Sequence, residues 1–264
     1  MRNLLNKLRK FIKRFKKVAV AFSGGTDSAL VLKLSVDSLG KENVIAITSI
    51  SETLPEIDKK FAKSITKKLK VKHIFIKTEE FKNKKFKKNP LNRCYYCKKE
   101  LFTKIKKIAK KFRIDTIFDG SNYDDLSDFR PGRKALKELN VISPLLENKI
   151  GKKTVREISK ILKLPTWNKP QMACLASRIP YGQMLDEDTL KKIDRAENFI
   201  RKFGFENVRI RHYGDIARIE ISKEKIPAIL KKKTREKIVK KLKSIGYKYI
   251  TVDLEGYRAG SLNP

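Results

Sequence analysis

Cysteine, methionine, glutamine and histidine are scarce in this 264-residue chain: three Cys, three Met, two His, and two glutamines, Gln171 and Gln183, beside 64 Lys and Arg. So few cysteines exclude a disulfide framework, so the thiols are expected to be reduced or metal-bound in a cytoplasmic protein. No segment approaches the ~18 consecutive apolar residues of a membrane span. Lys or Arg recurs every few residues between Met1 and Lys17, which leaves no apolar h-region for a signal peptide. Leu4, Leu5, Leu8, Phe11, Ile12 and Phe15 instead fall on one helical face. That is the pattern of a first helix packed on a domain, with a membrane-surface helix as the other reading. Acidic residues are in deficit, 29 Asp and Glu, giving a net charge of +35. The surplus points to an anionic partner such as a nucleotide, RNA or a phosphorylated small molecule. It also matches heat adaptation, where lysine is abundant and thermolabile residues are few. No basic stretch is interleaved with stacking aromatics, so nucleic acid is the disfavoured partner.

What is present is globular, with 40% hydrophobic residues and enough chain for one large domain or two modest ones. From Val18 onward, short apolar runs alternate with amphipathic stretches. Val18–Phe22, Val44–Ser49, His73–Ile76, Thr116–Phe118 and Val141–Ile142 read as buried parallel strands. Ser28–Leu39, Glu56–Leu69, Lys98–Phe112 and Thr154–Leu162 carry helical spacing. This alternation predicts an α/β, doubly wound parallel sheet, with its ligand beyond the carboxyl ends of the strands. Pro165, Pro170 and Pro180 interrupt the rhythm. Residues 1–165 are therefore expected to form the first domain, 166–184 a boundary loop, and 185–264 a smaller α+β domain with an antiparallel sheet.

The most informative stretch is Ser23-Gly24-Gly25-Thr26-Asp27-Ser28, which follows a buried strand and enters a helix. Glycines let backbone N–H groups approach an anion without Cβ obstruction, and the helix N-terminus adds partial positive charge. Ser23 and Ser28 contribute hydroxyl donors. The result is a pyrophosphate cradle, distinct from the longer Walker A loop. A second acidic segment, Asp119-Gly120-Ser121-Asn122-Tyr123-Asp124-Asp125, follows the strand at Thr116–Phe118, with Asp128, Phe129, Arg130, Pro131 and Gly132 soon after. Its carboxylates suit Mg²⁺, the ion that neutralises a triphosphate. Arg130 and Arg133 could clamp a phosphate or an acid group.

Cys94 and Cys97 form a Cys-x-x-Cys pair, and Cys174 lies in the boundary loop. His73 and His212 lack ligand-like spacing to them, so the fourth ligand of a structural zinc site is missing. Three thiolates and one open position fit a [4Fe–4S] cluster with one iron lacking a protein ligand. Such an iron could hold an exogenous sulfide. A redox pair or zinc half-site at Cys94 and Cys97, and a core thiol at Cys174, are the alternatives.

The loop resembles the PP-loop of N-type ATP pyrophosphatases, and nearly the whole chain resembles the LarE family, ATP-dependent sulfur transferases of nickel-pincer nucleotide biosynthesis. The resemblance is carried by Ala21–Ser28, Asn92–Phe102, Asp119–Asp125, Phe129–Gly132, Thr166–Asn168, Ala173–Gly182 and Asp215–Glu220. It implies a PP-loop (adenine nucleotide α-hydrolase-like) fold and an enzyme that forms AMP and pyrophosphate. ATP adenylates a carboxylate of a pyridinium dicarboxylate mononucleotide, and sulfur displaces AMP to give a thiocarboxylate. One family type sacrifices the cysteine matching Cys174; the other uses a cluster on cysteines matching Cys94, Cys97 and Cys174, the reading favoured here.

By the same resemblance, Ser23, Gly24, Gly25, Asp27 and Ser28 bind ATP phosphates, with Asp119 and Gly120 from the second motif. Cys174, Asp27 and Arg178 are the catalytic candidates, and Trp167 and Arg178 flank the sulfur-donor loop. Arg209, Arg211 and Arg258, with Trp167, are substrate candidates, while Glu197 and Asp124 are candidates for a divalent metal. The implied partners are a small-molecule nucleotide and a source of sulfide, in a homo-oligomer such as a hexamer. PP-loop tRNA thiolation and a non-catalytic nucleotide sensor are the competing readings, against which stand the missing RNA-binding module and the three placed cysteines.

Overall fold

The computed structural model describes residues 1–51, 53–127, 130–169, 173–258 and 260–262. Asp128, Phe129 and Pro170, singled out above, lie outside the described residues. The chain divides into two compact units, 1–83 with 92–172 and 84–91 with 173–264.

The first unit opens with α1 (Arg2–Ile12), then β1 (Val18–Ala21), α2 (Thr26–Leu39), β2 (Val44–Ile50), α3 (Glu56–Leu69) and β3 (Lys72–Lys77). The sheet order is β3-β2-β1-β4, all parallel, with β4 spanning Thr116–Phe118. Beyond it Ile142 pairs in parallel with Phe118 as an isolated bridge, which is all that forms of the expected strand at Val141–Ile142. The Pro144 turn begins too soon for more.

Strand residues alternate between two cores, as a period of two requires. Val18, Val20, Val44 and Ala46 join one core with Leu8, Leu30, Ala62 and Val155, while Ala19, Ile45 and Ile47 join the other with Phe102, Ile105 and Leu136. Helices therefore cover both faces, and the doubly wound parallel sheet expected from the alternation is what forms. The α1 face packs inward: Leu8 and Ile12 are buried, and Phe15 meets Phe118 edge-on at 5.1 Å between centroids.

The second unit contains α4 (Lys84–Lys87). The first unit resumes with α5 (Arg93–Lys111), α6 (Gly132–Glu138), α7 (Pro144–Glu147) and α8 (Lys152–Ile161). In the second unit α9 (Glu187–Arg201), β5 (Arg209–Tyr213), β6 (Ile216–Glu220), α10 (Ile226–Leu230), α11 (Lys232–Ser244) and β7 (Tyr249–Val252) follow. Residues 84–91 join this unit through Asn89, whose carbonyl accepts from Gly182 N–H at 3.0 Å, and Lys87, whose carbonyl accepts from Leu185 N–H at 2.8 Å. The expectation of an antiparallel sheet needs correction. The β5–β6 hairpin is antiparallel, but β7 runs parallel to β6. Two helices separate β6 from β7, and such a crossover returns the chain in the same direction.

Candidate functional site

In the first unit the chain leaves β1 toward β2 and β3 on one side, while β4 lies on the other. The topological switch point is therefore between β1 and β4, where a ligand crevice is expected at the carboxyl ends. Ser23–Ser28 follows β1 there, and Asp119-Gly120 follows β4.

Gly24 has φ +76°, a left-handed conformation, and a Cβ on it would stand 2.6 Å from the Asp58 carbonyl oxygen and 3.1 Å from Ala62 N. Gly25 is the N-cap residue of α2. The loop is braced by its own hydroxyls: Ser23 Oγ and Ser28 Oγ are 3.1 Å apart, and Ser23 Oγ accepts from Gly25 N–H at 3.3 Å. Gly120 lies against the start of α2, where a Cβ would come within 2.8 Å of Ser28 N. Only glycine lets the two backbones meet.

Residues that sequence reasoning missed hold this loop. Thr26 Oγ1 donates to Thr166 O at 2.8 Å. The Lys169 ammonium is buried, donating to Gly24 O at 2.8 Å and to Asp58 Oδ1 at 2.5 Å. Burial pushes Lys169 below the usual lysine range, and the Asp58 carboxylate opposes that shift. Lys152 Nζ donates to Asp27 Oδ2, and Asn122 Nδ2 to Asp27 Oδ1 at 3.4 Å. Behind the loop, Thr48 Oγ1 donates to Phe22 O at 2.6 Å and lies 2.8 Å from His73 Nε2. Burial first, then Lys63, lowers His73 to about 4, so its ring is neutral near pH 7. In a chain with 64 Lys and Arg, nothing local to the sequence marks Lys152 or Lys169 apart.

The carboxylates of the acidic segment are hydrogen-bonded within the fold. Asp119 is buried, accepting from Ser143 Oγ and Ser121 Oγ, each at 2.5 Å, and it fixes the Gly120 turn. The Oδ2 of Asp124, the candidate for a divalent metal, accepts from Lys152 N–H at 2.7 Å, and a Cβ on Gly151 would stand 2.6 Å from its Oδ1. The carboxylate thus neutralises the N-terminus of α8. Asp125 accepts from Asn122 N–H at 3.1 Å and pairs with Arg130 at 3.0 Å.

Cys94 and Cys97 lie in the first two turns of α5, one exposed and the other half-buried, ahead of the Lys98 start that helical spacing gives. The run Asn92-Arg-Cys-Tyr-Tyr-Cys lacks an apolar period, which is why the pattern placed the helix start at Lys98. Cys174 is exposed and belongs to the second unit. Among the described residues, no group of three or more His, Cys, Asp or Glu converges in a metal-binding arrangement. Trp167 is partly exposed, with Lys160 Nζ 5.0 Å from its ring centroid.

In the second unit Glu197 is fully buried and receives four hydrogen bonds. Oε1 accepts from Arg178 Nε at 2.8 Å and Ile210 N–H at 3.0 Å; Oε2 accepts from Arg178 Nη2 at 3.0 Å and Arg201 Nη2 at 2.6 Å. Burial would raise its carboxyl, but Arg178, Arg201 and Arg209 outweigh it and hold it at about 2. These four donors engage the lone pairs of its two oxygens. Arg178 also donates to Ala173 O at 2.6 Å and Cys174 O at 3.2 Å. Arg211 donates to Ser177 O at 2.7 Å and Ser261 Oγ at 2.8 Å, and pairs with Glu220 at 2.8 Å. Arg209 is buried with its guanidinium 5.0 Å from the Tyr257 ring centroid. Arg178 and Arg211 fasten the backbone around Cys174. Arg258 stands apart from them in chemistry: it is 54% exposed and pairs with Glu255 at 2.5 Å.

Residues 1–110 match the NAD synthase family. An uncharacterized protein of Synechocystis is 39% identical over 98% of this chain and 96% of its own length. An uncharacterized protein of Methanocaldococcus jannaschii is 35% identical over 97% of this chain and 96% of its own. The pyridinium-3,5-bisthiocarboxylic acid mononucleotide synthase of Lactiplantibacillus plantarum is 35% identical over 96% of this chain and 91% of its own. With a phosphate loop at the switch point of a PP-loop fold and that likeness running almost end to end, the chain is an ATP-dependent enzyme and belongs to the LarE family of the PP-loop superfamily.

Proposed function

We propose that this enzyme is a sulfur transferase that activates a carboxylate of a pyridinium dicarboxylate mononucleotide with ATP and converts it to a thiocarboxylate. The observation that carries this reading is the end-to-end similarity to the Lactiplantibacillus synthase in a chain whose phosphate loop is intact. The carboxylate oxygen attacks the α-phosphorus of ATP, pyrophosphate leaves, and a sulfur nucleophile then displaces AMP. Positioning and charge stabilisation are the protein's main contributions to such a step. Ser23, Gly24, Gly25 and Ser28 supply donors for the phosphates, with Asp27 beside them as the carboxylate for Mg²⁺. Arg178 orients the backbone of Cys174, while Arg209 and Arg211 favour an anionic group near that segment. In this reading the first unit is the ATP domain and the second serves substrate binding or assembly of a homo-oligomer.

Three soft thiols match the donor preference of an iron–sulfur cluster better than that of a hard cation. Cys94, Cys97 and Cys174 would hold it, and a [4Fe–4S] cluster bound there supplies an iron able to carry an exogenous sulfide. The alternative donor is Cys174 itself, consumed to dehydroalanine. The test is anaerobic incubation with ATP, Mg²⁺, sulfide and pyridinium-3,5-dicarboxylate mononucleotide, followed by mass spectrometry of small molecules and of the protein. AMP together with a product carrying sulfur in place of oxygen is expected. AMP formation without sulfur incorporation under every donor would overturn the transferase reading. Repeated turnover at unchanged protein mass supports the cluster; loss of hydrogen sulfide from the Cys174 peptide supports sacrifice.

A further inference from the structure

The loop Ser23–Ser28 contains no Lys or Arg, and its one charged side chain, Asp27, is an anion in the first turn of α2. A triphosphate arriving there meets like charge; at ~4 Å that repulsion is about 1–4 kcal/mol for unit charges near a protein surface. Walker loops carry their own lysine for this purpose. Besides Mg²⁺, any side-chain cation here has to come from elsewhere in the fold.

Among the described residues, two lysines reach the loop. Lys169 is committed to structure: its side chain is 5% exposed, and its ammonium is held between Gly24 O at 2.8 Å and Asp58 Oδ1 at 2.5 Å. Lys152 is different. Its side chain is 27% exposed, and its ammonium donates to Asp27 Oδ2. An ammonium has three donors, so a phosphate beside Asp27 can share it. Its backbone is fixed from the second motif. Asp124 Oδ2 accepts Lys152 N–H at 2.7 Å, and Tyr123 N–H donates to Ile150 O at 2.8 Å. The segment after β4 therefore delivers Lys152 to the loop after β1.

Resting on the ATP chemistry proposed above, we infer that Lys152 is the cation of the phosphate loop and that Asp124 is its positioning residue. Lys152 balances Asp27 and binds the β,γ-phosphates. As the substrate carboxylate oxygen bonds to the α-phosphorus, the bond from that phosphorus to the bridging oxygen breaks. The electron pair stays on that oxygen, and the Lys152 ammonium stabilises the charge carried away in pyrophosphate. No oxidant or further reactant is involved.

Calorimetric titration of the full chain with ATP, with pyrophosphate and with adenosine, each in Mg²⁺, tests this. Lys152→Met should weaken ATP and pyrophosphate binding about 10- to 100-fold, the effect of losing one hydrogen bond to a charged group, and leave adenosine binding unchanged. Lys152→Arg should restore most of the affinity. Asp124→Asn should weaken pyrophosphate binding too, with the double variant no weaker than Lys152→Met alone, because both act through one contact. Pyrophosphate affinity within about twofold of wild type in Lys152→Met, or a parallel loss of adenosine binding, overturns the assignment while leaving the ATP reading intact. Wild-type protein that binds neither ATP nor pyrophosphate overturns both.

Discussion

The phosphate loop of the first unit and the arginine cluster of the second handle anions in opposite ways. The loop is built from backbone N–H groups, two hydroxyls and two glycines, with its cations supplied from distant helices and segments. Its capacity for a ligand comes from donors left at the start of α2, where four N–H groups lack intrahelical partners. The cluster is built from side-chain charge, and most of that charge is already answered: Glu197 takes Arg178 and Arg201, and Glu220 takes Arg211 and Arg218. A crowd of arginines is thus weaker evidence for a phosphate site than a short glycine loop carrying no positive charge. What the arginines secure is the backbone of residues 173–177.

The largest effect should come from breaking the cluster. Glu197→Ala leaves Arg178 buried without its carboxylate, a loss of about 3–5 kcal/mol, read from the urea midpoint and m-value. The loop should fail more locally. Gly24→Ala meets both a positive φ and the Asp58 carbonyl, a strain of about 1–3 kcal/mol, and should abolish pyrophosphate binding while the second unit keeps its hydrogen-exchange protection. The smallest effect is a difference in acid response. His73 has a folded pKa of about 4, below its ordinary 6.5, so the unfolded chain binds more protons in between. Its contribution is complete above 6.5 and is lost as pH falls toward 4. Glu197, at about 2 against an ordinary 4.5, keeps its contribution above 4.5 and loses it as pH falls toward 2. At about pH 5, the protection factors of β2 and β3 amides, corrected for intrinsic exchange, should therefore fall below their neutral-pH values while those of α9 hold, and His73→Gln should remove the difference.

The sheet was legible because Val18–Ala21 and the first four residues of β2, Val44–Ile47, are apolar on both faces, as a covered parallel strand requires. The loop was legible because glycine spacing after such a strand has few other uses. What stayed hidden depended on partners far along the chain. Nothing near Asp124 in the sequence shows that it caps α8, and nothing near Glu197 shows that three donors besides Ile210 N–H converge on it. The direction of β7 was set by the helices that precede it, not by its own residues. The start of α5 was missed because Cys94-Tyr-Tyr-Cys97 carries no hydrophobic stripe, so its helix is recognisable only from the packing of Phe102 and Ile105 further on.

The burial of Lys169 also gives the molecule a reporter of its own. Acylating reagents consume exposed, deprotonated lysines, and this chain offers them on nearly every helix. Lys169, enclosed by Gly24 O, Asp58 and the Phe61 ring 4.1 Å away, is shielded from such reagents as long as the loop is closed. Once uncovered it loses the burial that lowers its pKa and becomes as open to reaction as its exposed neighbours. The time at which Lys169 becomes labelled, set against its neighbours, is therefore a clock for the opening of the phosphate loop, readable by peptide mass without adding any probe to the sequence.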